Sequence, residues 1–268
     1  LAGFEHGEVQ VIPFSYFCPM HKYHCLSILA LSFLFPFFAF LPDEAQGIFD
    51  TSKQLVIVVS PRQNNVKAQL YKFEKIGKRW QPVGQPNPVN LGRKGLAWGR
   101  GLNSAKPGPQ KEEGDLKSPA GIFRFGTAFG YAEAGTIPLK LPYLPITQAQ
   151  LCIEDSQSQY YNQLVDATQV QQDWTARESM LRTDEQYKWG IFVKHNVPSE
   201  PEAGSCIFFH LWRKPGSGTL GCTAMSEENL LALMQWLDPQ KEPLLLQMTE
   251  TSYREYQRGF SLPVLPAL

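Results

Sequence analysis

Gln54–Ser60 (QLVIVVS) is an unbroken apolar run, rich in β-branched side chains, and predicts a buried strand. Val66–Phe73 alternates loosely between apolar and polar positions. With Gly77 and Trp80 beyond it, the stretch reads as a hairpin. Gly95–Asn103 (GLAWGRGLN) sets three glycines around one tryptophan, and no helical pattern follows, so it predicts a strand with a tight turn rather than a nucleotide-binding loop. Lys106–Lys117 is a charged loop with proline and glycine. Ile122–Phe129, Gly190–Val197 and Leu244–Met248 read as further strands, and Ile207–Trp212 (IFFHLW) as a short apolar strand carrying one histidine. Helical patterns are few. Asp173–Tyr187 predicts a surface helix of mixed polarity. Ser226–Asp238 predicts a packed one: Ser226 can cap it, Glu227 and Glu228 suit its positive end, and Leu230, Leu233, Met234 and Leu237 recur at helical spacing. No repeat and no second domain is evident. The expectation is a mainly β single domain with one or two packed α-helices.

Residues 20–45 have a different character. Met20 opens a weakly basic start (His21, Lys22, His24), an apolar run follows from Cys25 to Leu41, and Pro42, Asp43 and Glu44 end it. That order describes a secretory signal peptide; an uncleaved N-terminal anchor is the alternative. Because residue 1 is Leu, residues 1–19 read as untranslated upstream sequence.

Composition then changes the picture in one respect. The whole chain of 268 residues carries 25 basic and 25 acidic side chains and five cysteines. Zero net charge gives no basic stripe for nucleic acid, and the hydropathy is too high for a disordered chain. Beyond residue 45 the balance is +3, and only Cys152, Cys206, Cys222, His195 and His210 remain of their types. Two histidines and scattered carboxylates show no zinc spacing, so no metal and no cofactor is expected.

Chemistry concentrates in Phe208–Ser226 (FFHLWRKPGSGTLGCTAMS). His210 ends an apolar strand, a Pro/Gly/Ser loop follows, and Thr219-Leu220-Gly221-Cys222 leads toward the helix capped by Ser226. Glycine permits close backbone approach, amides around a cysteine can form an oxyanion hole, and a nearby histidine can serve a thiol nucleophile. A buried cysteine or a strand histidine is more often simply packed; the pair in one short segment points to catalysis.

This segment resembles the active-site signature of the YkuD-type L,D-transpeptidases, bacterial cell-wall enzymes: His210, then Thr219, Gly221 and Cys222 match it. A second block, Gly114-Asp115-Leu116-Lys117-Ser118-Pro119-Ala120-Gly121-Ile122-Phe123, is similar to the family's turn and strand. The resemblance covers roughly residues 50–250, leaving 251–268 as a C-terminal tail. It implies a β-sandwich catalytic domain, a Cys222 nucleophile, His210 as base and acid, an oxyanion held near Gly221 and Cys222 with Thr219 in support, and a carbonyl at Leu211 orienting the imidazole. It also implies a periplasmic or cell-wall location and peptidoglycan stem peptides as partner, with an inner-membrane tether where the N-terminal segment is retained. Leu220 and Ala224 depart from the signature, where a second histidine and an Arg or Asn are usual, and mark a divergent branch.

Of second rank are Trp212, Arg213 and His195 as residues lining a substrate cleft; Tyr160, Tyr161 and Asn162 read as packing. With Cys222 assigned, Cys152 and Cys206 are left to pair as a disulfide in an oxidising compartment. The expected activity is stem-peptide transpeptidation. The alternatives are an L,D-carboxypeptidase or endopeptidase, or a hydrolase detaching wall-bound protein, on the same scaffold. A non-catalytic wall-binding module is the alternative from another class.

Overall fold

The computed structural model describes residues 44–266. The segment 1–19 and nearly all of the expected export segment lie outside the described residues. Helix α1 (Glu44–Thr51) opens the described chain. The strands are β1 (Gln54–Ser60), β2 (Lys67–Ile76), β3 (Arg79–Pro82), β4 (Asn87–Asn90), β5 (Leu96–Trp98), β6 (Ser118–Gly130), β7 (Tyr143–Pro145), β8 (Gln150–Ile153), β9 (Leu164–Asp166), β10 (Arg177–Ser179), β11 (Trp189–Val193), β12 (Phe208–Leu211), β13 (Thr223–Met225) and β14 (Leu244–Thr249). Helix α2 (Glu227–Trp236) lies between β13 and β14, and α3 (Glu250–Phe260) follows β14.

The protein is mainly β with packed helices. Its main sheet runs β1-β14-β6-β11-β12-β13-β4-β2, and β2 pairs back onto β1, so the sheet closes on itself; the two faces expected of a sandwich belong to one curled sheet. The uniformly buried β1 sits between a parallel neighbour and an antiparallel one, which explains why its sequence is apolar throughout. Its alternate residues serve two cores. Val56 and Val58 join Leu70, Phe123, Phe209 and Leu245 with Leu230, Leu233 and Met234 of α2. Leu55, Ile57 and Val59 join a cluster with Phe49 of α1 and Tyr253 and Tyr256 of α3. A small separate sheet, β10-β8-β9, packs against the main one. Between them lies a third cluster containing Cys152, Cys206, Cys222, Phe129, Tyr187 and Phe208.

Two expectations give way. Asp173–Tyr187 is not a helix. Its polar side chains are used in loop contacts, Asp173 accepting from Ser158 and Thr175 donating to Asp155, and Arg177–Ser179 pairs with Leu151–Ile153. With no apolar stripe to bury, the helix had nothing to stabilise it. Residues 251–268 are not a plain tail either, because α3 takes Thr249 as its cap (Oγ1 accepting from Ser252 N, 3.2 Å) and buries Tyr253 and Tyr256. The packed helix α2 runs where its pattern predicts it, with Ser226 Oγ accepting from Asn229 N at 3.4 Å. Among the described residues no helix is long and apolar enough to cross a membrane.

Candidate active site

β12 and β13 run parallel, with His210 opposite Ala224. Cys222 lies two residues before Ala224, so strand alternation puts it on the His210 face of the sheet. Both residues line one cavity of about 310 Å³, together with Glu154, Glu178, Arg182, Tyr187, Trp212 and Arg213. Thus the structure brings together Cys222, His210, Thr219, Gly221, Trp212 and Arg213.

The cysteine loop is held from two directions. Thr219 Oγ1 donates to the Cys222 carbonyl at 2.6 Å, and Ser118 Oγ, from the second sequence block, donates to the same oxygen at 3.0 Å. Ser118 Oγ also accepts from Gly92 N at 2.8 Å, which ties a third segment to the loop. A Cβ added at Gly221 would stand 3.3 Å from the Lys117 carbonyl and from Ile207 Cδ1, a tight fit that a few tenths of an ångström of movement would relieve. The Gly221 amide donates to Thr219 Oγ1 at 3.2 Å; at rest it is engaged within the loop rather than presented to an oxyanion. Leu220 is 67% exposed, facing the cavity mouth from the place where the resembled signature has its second histidine.

The thiol is enclosed. Phe208 N donates to Cys222 Sγ at 3.3 Å, and Sγ in turn donates to the Cys206 carbonyl at 3.5 Å. Burial pushes this thiol well above its ordinary value, and the Glu178 charge pushes in the same direction. Burial lowers His210 from 6.5 to about 4. The two groups therefore rest as neutral thiol and neutral imidazole. Leu211 O lies 2.8 Å from His210 Nδ1, which fixes the tautomer with hydrogen on Nδ1 and leaves Nε2 as the basic nitrogen.

Cys152 and Cys206 are joined in a disulfide with a Cα separation of 5.9 Å. The bridge fastens β8 to the residue whose carbonyl accepts from the thiol. Asn162 braces the same point, its Oδ1 accepting from Cys206 N at 3.0 Å.

His195 corrects an expectation. It is fully buried and does not line the cavity. Its Nε2 lies 3.0 Å from Ala203 O, Nδ1 has no partner, and the ring packs edge-on against Phe123. Burial lowers it to about 4 as well. It is a core histidine, set where a strand end meets the loop at Gly99 and Gly204 rather than in a cleft.

The cavity also contains residues that the sequence pattern did not single out. Lys111, in the stretch read as a charged loop, is buried and pairs with Asp115 at 2.6 Å. Glu113 accepts from Tyr161 at 2.6 Å and from Ser205 at 2.7 Å. Glu154 makes no such pairing, and burial beside Glu178 and Glu113 raises it to about 7. Glu178, Arg182 and Tyr187 come from the segment read as a helix, so their shared orientation had no legible period. Only the Asp115 block carried a signal, through its motif. Among the described residues no group of three or more His, Cys, Asp or Glu side chains is disposed to hold a metal ion.

No family model matches the chain, and no curated protein matches it. Two solved structures are similar to it. One is the helical cell shape determining protein Pgp2 from Campylobacter jejuni, at 15% identity and a TM-score of 0.32, covering 77% of this chain and 55% of that one. The other is a point mutant of the same protein, at 15% identity and a TM-score of 0.34, covering 74% of this chain and 47% of that one. The chain spans about half the length of those two structures.

Proposed function

We propose that the protein is an exported cysteine acyltransferase of the L,D-transpeptidase type, acting on peptidoglycan stem peptides in the periplasm or cell wall. One observation carries the reading. The two motif blocks, far apart in sequence, converge on the Cys222 carbonyl through Ser118 and Thr219, beside a cavity lined by the Cys222 thiol and the His210 imidazole. The Cys152–Cys206 disulfide suits an oxidising compartment.

In this mechanism Cys222 Sγ attacks the carbonyl carbon of the bond between L- and D-centres, while its proton passes to His210 Nε2. The tetrahedral intermediate collapses, the C–N bond breaks, and the leaving amine takes the proton from His210. A thioester remains on Cys222. An incoming amine, deprotonated by His210, attacks the thioester and regenerates the thiol with a new amide bond. Water in place of the amine gives the shortened peptide instead.

Tetrapeptide-bearing muropeptides incubated with the protein, and read by mass spectrometry, test the proposal. Cross-linked dimers are expected, and Cys222→Ala abolishes them; shortened monomers assign hydrolysis on the same site. A carbapenem adduct on Cys222 reports an acylatable thiol. Absence of both products and of the adduct would overturn the reading in favour of a binding module.

A further inference from the structure

His210 lacks the ionised orienting partner that an aspartate supplies in a Ser-His-Asp triad. Its Nδ1 meets a main-chain carbonyl, that of Leu211, at 2.8 Å. That contact sets the tautomer, but it comes from the adjacent residue and carries no charge. The ring's aromatic neighbour is Tyr187, edge-to-face, with centroids 5.2 Å apart and planes at 73°.

Tyr187 is itself held on every side. Phe129 and Phe208 pack against it at 5.8 and 5.5 Å between ring centroids, and the Arg182 guanidinium lies over its ring at 5.0 Å. Its hydroxyl donates to Glu178 Oε1 at 2.6 Å, and the same oxygen accepts from Arg182 Nη1 at 3.1 Å. Arg182 is fixed in turn by two bonds to Asp184, from Nε at 2.8 Å and Nη2 at 2.7 Å. The loop bearing Tyr187 is stitched to the histidine strand, Leu211 N donating to Gln186 O at 3.0 Å. Glu178, Arg182 and Tyr187 all line the cavity with Cys222.

We propose that Tyr187 is a positioning residue for His210, held in place by the Glu178–Arg182–Asp184 chain, and that it replaces the missing carboxylate as the group that orients the imidazole toward the thiol. The proposal rests on the acyl-transfer reading above. An aromatic ring suits the task. It confines a neutral imidazole by packing, edge to face, without adding charge beside it. A carboxylate in direct contact would instead raise the imidazole's pKa. The charged groups facing His210 are Arg182, which opposes the imidazolium, and Asp184, which favours it; paired with each other, they largely cancel.

The test compares wild type, Tyr187→Leu, Tyr187→Phe and Glu178→Gln in two assays: acylation of Cys222 by a carbapenem, and steady-state turnover of muropeptides across pH. Tyr187→Leu removes the ring and is expected to lower the acylation rate and kcat by about tenfold or more, with KM within about twofold. It also moves the acid limb upward from near pH 4 toward the ordinary histidine value, as the freed imidazole gains water. Tyr187→Phe keeps the ring and loses only the tether, and is expected to cost about threefold; Glu178→Gln behaves like it. Thermal melts establish which variants fold. Where the Leu variant does not, the Phe and Gln pair carries the test, and wild-type kcat and acid limb in both overturn the proposal. A Leu variant that loses only through KM, or keeps wild-type kcat, also overturns it. An inactive, non-acylating wild type would instead overturn the acyl-transfer reading itself.

Discussion

Alkylating Cys222 with iodoacetamide across a pH series distinguishes a neutral Cys222–His210 pair from a thiolate–imidazolium pair. Burial lowers His210 from 6.5 to about 4. At about 1.4 kcal/mol per unit, that is about 3 kcal/mol against the imidazolium. Burial and the Glu178 charge raise the thiol, so the other half of the transfer is opposed as well. The sign follows directly: below the thiol pKa the thiolate fraction, and with it the alkylation rate, climbs about tenfold per pH unit. No plateau is expected between about pH 5 and 9, and His210→Gln leaves the curve nearly unchanged. Turnover behaves differently, because it needs His210 as a base: kcat/KM holds as pH falls and is lost only as His210 protonates near pH 4. The rate is read on the peptide carrying Cys222, since Cys18 and Cys25 also bear sulfur and Cys152 and Cys206 are bridged. A rate plateau beginning between about pH 4 and 7, abolished by His210→Gln, would refute the neutral resting pair.

Three further outcomes follow from the same structure. His195 sits near 4 when folded and near 6.5 when unfolded, so between these values the unfolded chain binds more protons and stability rises with pH. Urea titrations of wild type and His195→Gln should therefore show a stability difference that grows by about 3 kcal/mol from pH 4 to 7, in favour of wild type; Glu154, whose raised value acts with the opposite sign, cancels in the difference, and a constant gap counts against the assignment. Thr219→Val leaves the Gly221 amide and one side of the Cys222 carbonyl without their partner, for an expected loss of about 1–3 kcal/mol and a slower acylation of Cys222; wild-type stability by urea titration would show that the loop is held elsewhere. Cys152→Ser together with Cys206→Ser opens a closure of 54 residues, worth about 4 kcal/mol by chain entropy, and a thermal melt unchanged from wild type would contradict that contribution.

Much of the scaffold is written locally. The β-branched run of β1, the leucine spacing and serine cap of α2, and the apolar strand of His210 each declare themselves within a few residues. That Cys222 and His210 share one cavity is legible because both lie in one short strand–loop–strand segment. What escaped reading is what depends on distant partners. Residues 173–187 look helical only by composition, and their polar groups are satisfied by loops and by β8, which no window along the chain reveals. Lys111 reads as a solvated loop charge until Asp115 is seen folded onto it at 2.6 Å. His195 sits at a strand end, where exposure is the ordinary expectation, and only the packing of Phe123, Gly99 and Gly204 encloses it.

The placement of β1 between β2 and β14 imposes an order on folding. β1 and β2 are neighbours in sequence and can pair as soon as both exist. The seam that closes the ring, however, pairs Leu55 with Leu244 and waits for one of the last strands of the described chain. Until β14 arrives, β1 and β6 are both open edges flanked by apolar side chains, the condition under which strands recruit other chains. A chain cut short of residue 244 would still contain the whole Cys222–His210 signature, yet it would present two adhesive edges and lack the closed ring that holds the pair in register.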